Sequence, residues 1–239
     1  MGNFSFYYGD DENIINKLRI SSSEIWNQVK VLTKDRFTLC IPADDMNFSF
    51  VETEQFIGAI NHGGGVAVEV GVTESFPKTA GGLLIAGDEA YSDADNVPQG
   101  LLDAIEGSYP VLGIGWGMHA LNVAMGGQIP VKISGHRVPG EDLCSHPLFM
   151  APGGKVGYTI AGSGWVTVPS DHSHGLLPAQ VANGLLSSVY AGDQVVEAIE
   201  KPGREWFIGV QWPAHMIDRT PRGFDSLLLA LVERSERPS

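Results

Sequence analysis

The amino-acid sequence predicts an α/β fold, an open, mixed, mostly parallel sheet with helices on both faces. Three observations carry that prediction. In the first part of the chain, short apolar runs alternate with helix-patterned segments at the spacing of strand–helix crossover units. Further on, short β-like pieces are separated by Gly, Pro, Asn and Asp, as in antiparallel hairpins and edge strands added to the same sheet. Between them, "PVLGIGWGMHALNVAMGG" (110–127) reads as a strand running into a helix through a glycine turn. Such elbows usually carry a nucleophile at the bend, and the residue there is Gly115.

The elements follow in order. Residues 1–35 read as an N-terminal extension and 36–239 as the domain itself. Within the extension, "SSSEIWNQVKVL" places Ser21 and Glu24 at capping-box spacing ahead of an apolar stripe. "FTLCIPA" (37–43) is a strand and "VETEQFIGAINHGGG" (51–65) a helix ending in glycines. "VAVEVGV" (66–72) and "GGLLIAG" (81–87) are strands, and "VPQGLLDAIEG" (97–107) is a helix with Pro98 in its first turn. After the elbow, "KVGYTIAG", "WVTVPS", "SSVYAG", "VVEAIE" and "WFIGVQW" are the β-like pieces, and "FDSLLLALVERSE" (224–236) is a closing helix.

Composition narrows the function. Across 239 residues, 43% are hydrophobic and 18% charged, the proportions of a globular protein with ample length for a core. A net charge of −13 argues against nucleic acid or an anionic membrane as partner, since both require a basic footprint. No apolar run approaches the ~20 residues of a membrane span, and "MGNFSFYYGDDENI" lacks the pattern of a secretory leader. Two cysteines, Cys40 and Cys144, make no disulfide framework, which points to the reducing cytoplasm. The expected partners are a small-molecule ligand, a protein partner or a second copy of the chain. Phe4, Phe6, Tyr7 and Tyr8 of the extension are candidates to cover the sheet or to mediate a dimer.

Five stretches, in order, resemble the class I glutamine amidotransferases, and within them the γ-glutamyl-γ-aminobutyrate hydrolase (peptidase C26) branch. They are "FVETEQFIGAINHGGGVAVEV", "GGLLIAGDEA", "PVLGIGWGMHALNVAMGG", "VPSDHSH" and "VVEAIEKPGREWFIGVQWPAH". The resemblance runs from about Arg36 to Val232 and implies a flavodoxin-like core. It also implies a mechanism in which a Cys at the elbow attacks a γ-glutamyl amide, a His activates the thiol and a Glu orients that His. At those positions this chain has Gly115, Pro213 and His215, and the glycines of the oxyanion loop are replaced by Asp88 and Glu89. A carboxylate there would repel the charge that such a hole stabilises.

Three functional readings follow. One is a non-hydrolytic homologue that binds a small molecule or acts by regulation. Another is a repurposed enzyme using Asp88, Glu89, His119, His172 and His215 for acid–base or metal-assisted chemistry on a γ-glutamyl, amide or amine compound. The third, residual γ-glutamyl hydrolysis, would need an activated water in place of a thiol. The candidate pocket comprises Asp88, Glu89, Trp116, His119, Asp171, His172, His174, Trp212 and His215. No cofactor is expected; a divalent metal is the alternative, with His119, His172, His215 and Asp88 as ligands. Trp116 and Trp212 read as volume fillers or as an aromatic wall, while Asp171 and Asp88 would favour a cationic ligand. Cys40 reads as a core residue, and Cys144 as a loop residue remote from the elbow.

Overall fold

The computed structural model describes residues 38–40, 50–68, 75–77, 80–87, 97–138, 140 and 143–235. By internal contacts the chain divides into Met1–Lys34 and Asp35–Ser239, and every described residue belongs to the second unit. The expected capping box at Ser21–Glu24, the aromatic residues of the extension, and Asp88 and Glu89 lie outside the described residues.

Ten strands and five α-helices are present among the described residues. The chain runs β1 (Thr38–Cys40), α1 (Phe50–His62), β2 (Leu83–Gly87), α2 (Gln99–Glu106), β3 (Val111–Gly115) and α3 (Trp116–Ala124). It continues through β4 (Val131–Lys132), β5 (Cys144–Met150), α4 (Lys155–Ile160), β6 (Gly164–Ser170) and β7 (His174–Gly175). Last come β8 (Leu186–Ala191), β9 (Val196–Glu200), β10 (Phe207–Val210) and α5 (Ser226–Ser235). The main sheet has the order β1-β2-β3-β10-β9-β8-β5-β6, and β4 pairs with β7 in a small second sheet.

Strands β1, β2, β3 and β10 are mutually parallel, and the remaining pairings are antiparallel. The sheet is therefore mixed in nearly equal parts rather than mostly parallel. Its antiparallel half grew because residues 144–150, expected as loop, form β5, paired on both edges with β6 and β8. Residues 66–68 of the expected strand "VAVEVGV" have no regular structure, and the rest of it lies outside the described residues.

Alternation along the central strands divides the core into two faces. Leu84, Ala86, Leu112, Ile114, Ile208 and Val210 pack on one side with residues of α1, α4 and α5. Leu83, Ile85, Val111 and Phe207 pack on the other with residues of α2 and α3. On that second side α3 approaches the sheet closely. A Cβ on Gly117 would stand 2.0 Å from the Ile85 carbonyl oxygen, and one on Gly113 or Gly209 would meet α3 within 2.8 Å. The far end of α3 is held by buried Asn122. Its amide donates to the carbonyls of Gln128 and Gln180, and its oxygen accepts from the Ala182 N–H.

The expected β-piece "KVGYTIAG" is instead helix α4. The cause is tertiary: the Glu200 carboxylate on β9 accepts from the Lys155 and Val156 N–H groups, which a short helix would otherwise leave unsatisfied. The Lys155 ammonium in turn donates to the Lys201 carbonyl. Glu200→Ala is expected to cost about 2–4 kcal/mol by stranding those two donors, read as a lower urea midpoint with an unchanged slope.

Candidate functional site

Open sheets bind ligands beyond the carboxyl ends of their parallel strands. Here that edge holds the turn from β3 into α3, the segment after β10, and the start of β9, which runs antiparallel to β10. The turn is built as an elbow. Gly115 has φ 59° and ψ −120°, a conformation in which a side chain would be strained, and the next residue begins α3. The elbow thus has the geometry of a nucleophile turn and carries no side chain. Among the described residues the free cysteine is Cys144, which opens β5, four strands from β3 in the sheet order. Its thiol donates to the Ser170 carbonyl. It is a strand residue rather than the expected loop residue. The side chain of Cys40 lies outside the described residues.

The two tryptophans do not form a joint aromatic wall. Trp116 is packed with the α2/α3 face of the core, and Trp212 with the α1/α5 face, where it is 1% exposed and its ring lies against Phe224. Both fill volume.

The expected histidine set divides in the same way. His215 stacks on Phe56 of α1, ring centroids 3.8 Å apart, and neither of its ring nitrogens has a hydrogen-bond partner. It borders a cavity of about 440 Å³ lined also by Gln55, Leu143, Asp218 and Arg219. Its pKa is lowered to about 3 by burial. His119, on the opposite side in α3, is 2% exposed. Burial lowers its pKa to about 3, and the nearby His172 and His174 push the same way. His119 and His215 are therefore not parts of one ligand set, because they project from opposite faces of the sheet. His174 lies on β7 beside the Ser173 hydroxyl, 3.2 Å away. Exposed Asp171 is paired with Arg137, its Oδ1 accepting from Nε at 2.6 Å, so it lends no free negative charge to a pocket.

His172 belongs to a different cluster, with His136, His146 and Glu197. The small sheet sets it up. Val131 pairs with Gly175 and Lys132 with His174, Ile133 N–H donates to the Ser173 carbonyl, and His172 N–H donates to the His136 carbonyl. That ladder brings residue 136 beside residue 172. In the main sheet Leu148 pairs with Ala191, the last residue of β8, so the start of β5 runs past the β8–β9 hairpin and carries His146 to the group. Glu197, 0% exposed, projects from β9 beneath the three rings. Burial pushes its carboxyl up, but the His136 and His172 rings beside it outweigh this and lower the pKa to about 2. For His136, burial works downward and the carboxylates of Glu197 and Asp193 raise the pKa overall. Three of these four residues were missed from sequence. The available signal was an acidic residue in the otherwise apolar run "VVEAI".

Buried His119 and His215 make stability depend on acid. Each binds a proton in the unfolded chain below about pH 6.5 but in the folded chain only near pH 3. Folded stability therefore falls as pH drops through that window, by up to about 1.4 kcal/mol per pH unit for each ring. His215→Phe, which keeps the stack on Phe56 and removes the titrating group, is expected to flatten that decline by one histidine's share. Urea unfolding at a series of pH values between 7 and 4 checks it; an unchanged slope would contradict the burial argument.

Comparison with known proteins agrees with this architecture. A glutaminase domain of Trypanosoma brucei CTPS, solved with bound acivicin, superposes with a TM-score of 0.64 at 14% identity, covering 83% of this chain and 93% of that one. A Thermoplasma acidophilum protein described as a subunit of GMP synthase gives 0.61 at 14% identity, covering 83% and 94%. In sequence, a Mycobacterium tuberculosis protein named as a glutamine amidotransferase is 35% identical over 118 residues, 47% of this chain and 37% of its own length. The match thus spans well under half of that relative. The peptidase C26 profile matches residues 84–215, a span running from β2 through the elbow to His215. The chain belongs to the peptidase C26 family, within the class I glutamine amidotransferase-like proteins.

Proposed function

We propose that the protein binds a γ-glutamyl compound at the carboxyl edge of its sheet and does not hydrolyse it by a thiol mechanism. The observation that carries this reading is the elbow: Gly115 holds the strained turn with no side chain to attack a carbonyl. The segment after β10 supports it. Pro213 has no proton-accepting side chain, and His215 faces Phe56 with no hydrogen-bond partner rather than orienting a base. A γ-glutamyl ligand is preferred to a simple amine because Asp171, one of the two carboxylates expected to attract a cation, is already paired with Arg137. Binding without turnover suits a regulatory role, in which ligand occupancy is the signal.

A second reading is favoured by one observation. Polar groups at this edge, His119 and Glu197 above all, are deeply buried yet remain ionisable residues. A repurposed enzyme using them for acid–base chemistry would hydrolyse its substrate without a cysteine.

One experiment separates the two. The purified protein is screened by thermal shift and calorimetry against glutamine and γ-glutamyl dipeptides, and product is assayed in parallel. A ligand at about 100 times its Kd adds about 2.7 kcal/mol of apparent stability. The expected outcome is a stabilised protein, no released ammonia or amine, and no gain of hydrolysis in Gly115→Cys, because Pro213 supplies no base. Turnover that survives thiol-blocking reagents would replace this reading with the second one, and the absence of binding by any γ-glutamyl compound would reject it.

A further inference from the structure

We propose that His136, His146, His172 and Glu197 form a tetrahedral N3O site for a divalent transition metal of the zinc class. The ligand atoms lie within 4.8 Å of one another. His136 Nδ1 is 3.1 Å from Glu197 Oε1 and 3.2 Å from His172 Nε2. His172 Nε2 and His146 Nε2 are 3.4 and 3.7 Å from the same Oε1. In a tetrahedral centre with bonds of ~2.0–2.1 Å, donor atoms stand ~3.3–3.4 Å apart. Four of the six donor–donor separations, 3.1–3.7 Å, are thus close to the edge of such a tetrahedron, and the two from His146 to the other rings are within 4.8 Å.

Hydrogen bonding at the outer ring atoms points the same way. His172 Nδ1 is 2.9 Å from the His174 carbonyl oxygen, which only accepts, so that nitrogen carries the proton. His136 Nε2 is 3.0 Å from the Asp193 carboxylate and carries its proton for the same reason. In the neutral rings His136 Nδ1 and His172 Nε2 are bare lone pairs, and they converge on each other and on a carboxylate oxygen. A proton shared from His136 would still leave His146 Nε2 without a partner. A cation at the centre serves all four. A carbonyl and a carboxylate fixing the outer nitrogens are the supporting bonds that metal-bound histidines use.

Four protein donors close a tetrahedral shell, which identifies a structural site rather than one with a position open to substrate. The metal would tie the loop before residue 137, the start of β5 and the loop before β7 to β9. Glu197 is two strands from β3, roughly 10 Å along the edge from the elbow. The His146 side chain is 12% exposed against 4% or less for the other three, so it marks the way in. This inference does not depend on the γ-glutamyl reading.

The test uses full-length protein without a polyhistidine tag, stripped with chelator and titrated with Co(II), then Zn(II). About one Co(II) per chain is expected, with the intense visible bands of a tetrahedral centre, bleached by Zn(II), and a raised Tm. His146→Ala, at the least buried ligand, should lose the tetrahedral spectrum while keeping its circular dichroism. Asp193→Asn, on an exposed supporting residue, should weaken affinity about 10–100-fold. The proposal is overturned if tag-free wild-type protein gives no tetrahedral Co(II) spectrum, or if His146→Ala binds as the wild type does. Should His146→Ala fail to fold, unchanged affinity in Asp193→Asn overturns it alone.

Discussion

The structure depends on how closely α3 lies against the sheet. Glycines at 113, 117 and 209 leave no Cβ between helix and strands, and with Gly117 against the Ile85 carbonyl there is no room for one. That contact fixes where α3 begins, and so fixes the turn at Gly115 in its left-handed conformation. It also lets Asn122 reach three backbone groups beyond the helix end. The architecture of a nucleophile elbow is therefore held by backbone packing. Glycine at the bend meets that constraint without strain.

The same sheet separates residues that the sequence pattern groups together. Residues two apart on a strand share a face, and the elements covering each face differ. His119 is carried by α3 on one side, whereas the chain after β10 carries Trp212 and His215 to the other, against α5 and α1. A nucleophile–base–orienter arrangement needs charge to be shared between neighbours. His215 is buried with no hydrogen-bond partner at either ring nitrogen, so it takes no part in such an arrangement. Ionisable groups instead concentrate around Glu197.

The fold was legible in the sequence where local pattern and tertiary packing agree. The helices around residues 55, 102, 120 and 230 and the strands at 83–87, 111–115 and 207–210 all carry their own apolar periodicity. Two elements were not legible, for opposite reasons. "KVGYTI" has strand-like residues but becomes helix because Glu200, 45 residues away from Lys155, caps it. "CSHPLFM", read as loop around Cys144, contains a proline, which a central strand disfavours, yet it gains partners on both edges. The elbow was legible because its turn chemistry is local. The histidine cluster was not, because its members are separated by 10, 26 and 25 residues and meet through the ladder between residues 131–136 and 172–175.

A carboxylate with no exposed surface is costly unless its charge is answered at close range. Glu197 sits inside a strand whose other residues are also buried, so water cannot answer it. The groups that do answer come from three segments that strand pairing brings together: the chain after β4, the overhanging start of β5, and the chain leaving β6. The Glu197 carboxylate is the charge common to three imidazoles that are already packed together, His136 lying 4.3 and 4.7 Å from the other two ring centres. Glu197 thus acts on the carboxyl edge as the glycines act on the elbow. One fixes polar segments by charge, the other fixes a helix by close approach, and the two stand some two strands apart on the same sheet.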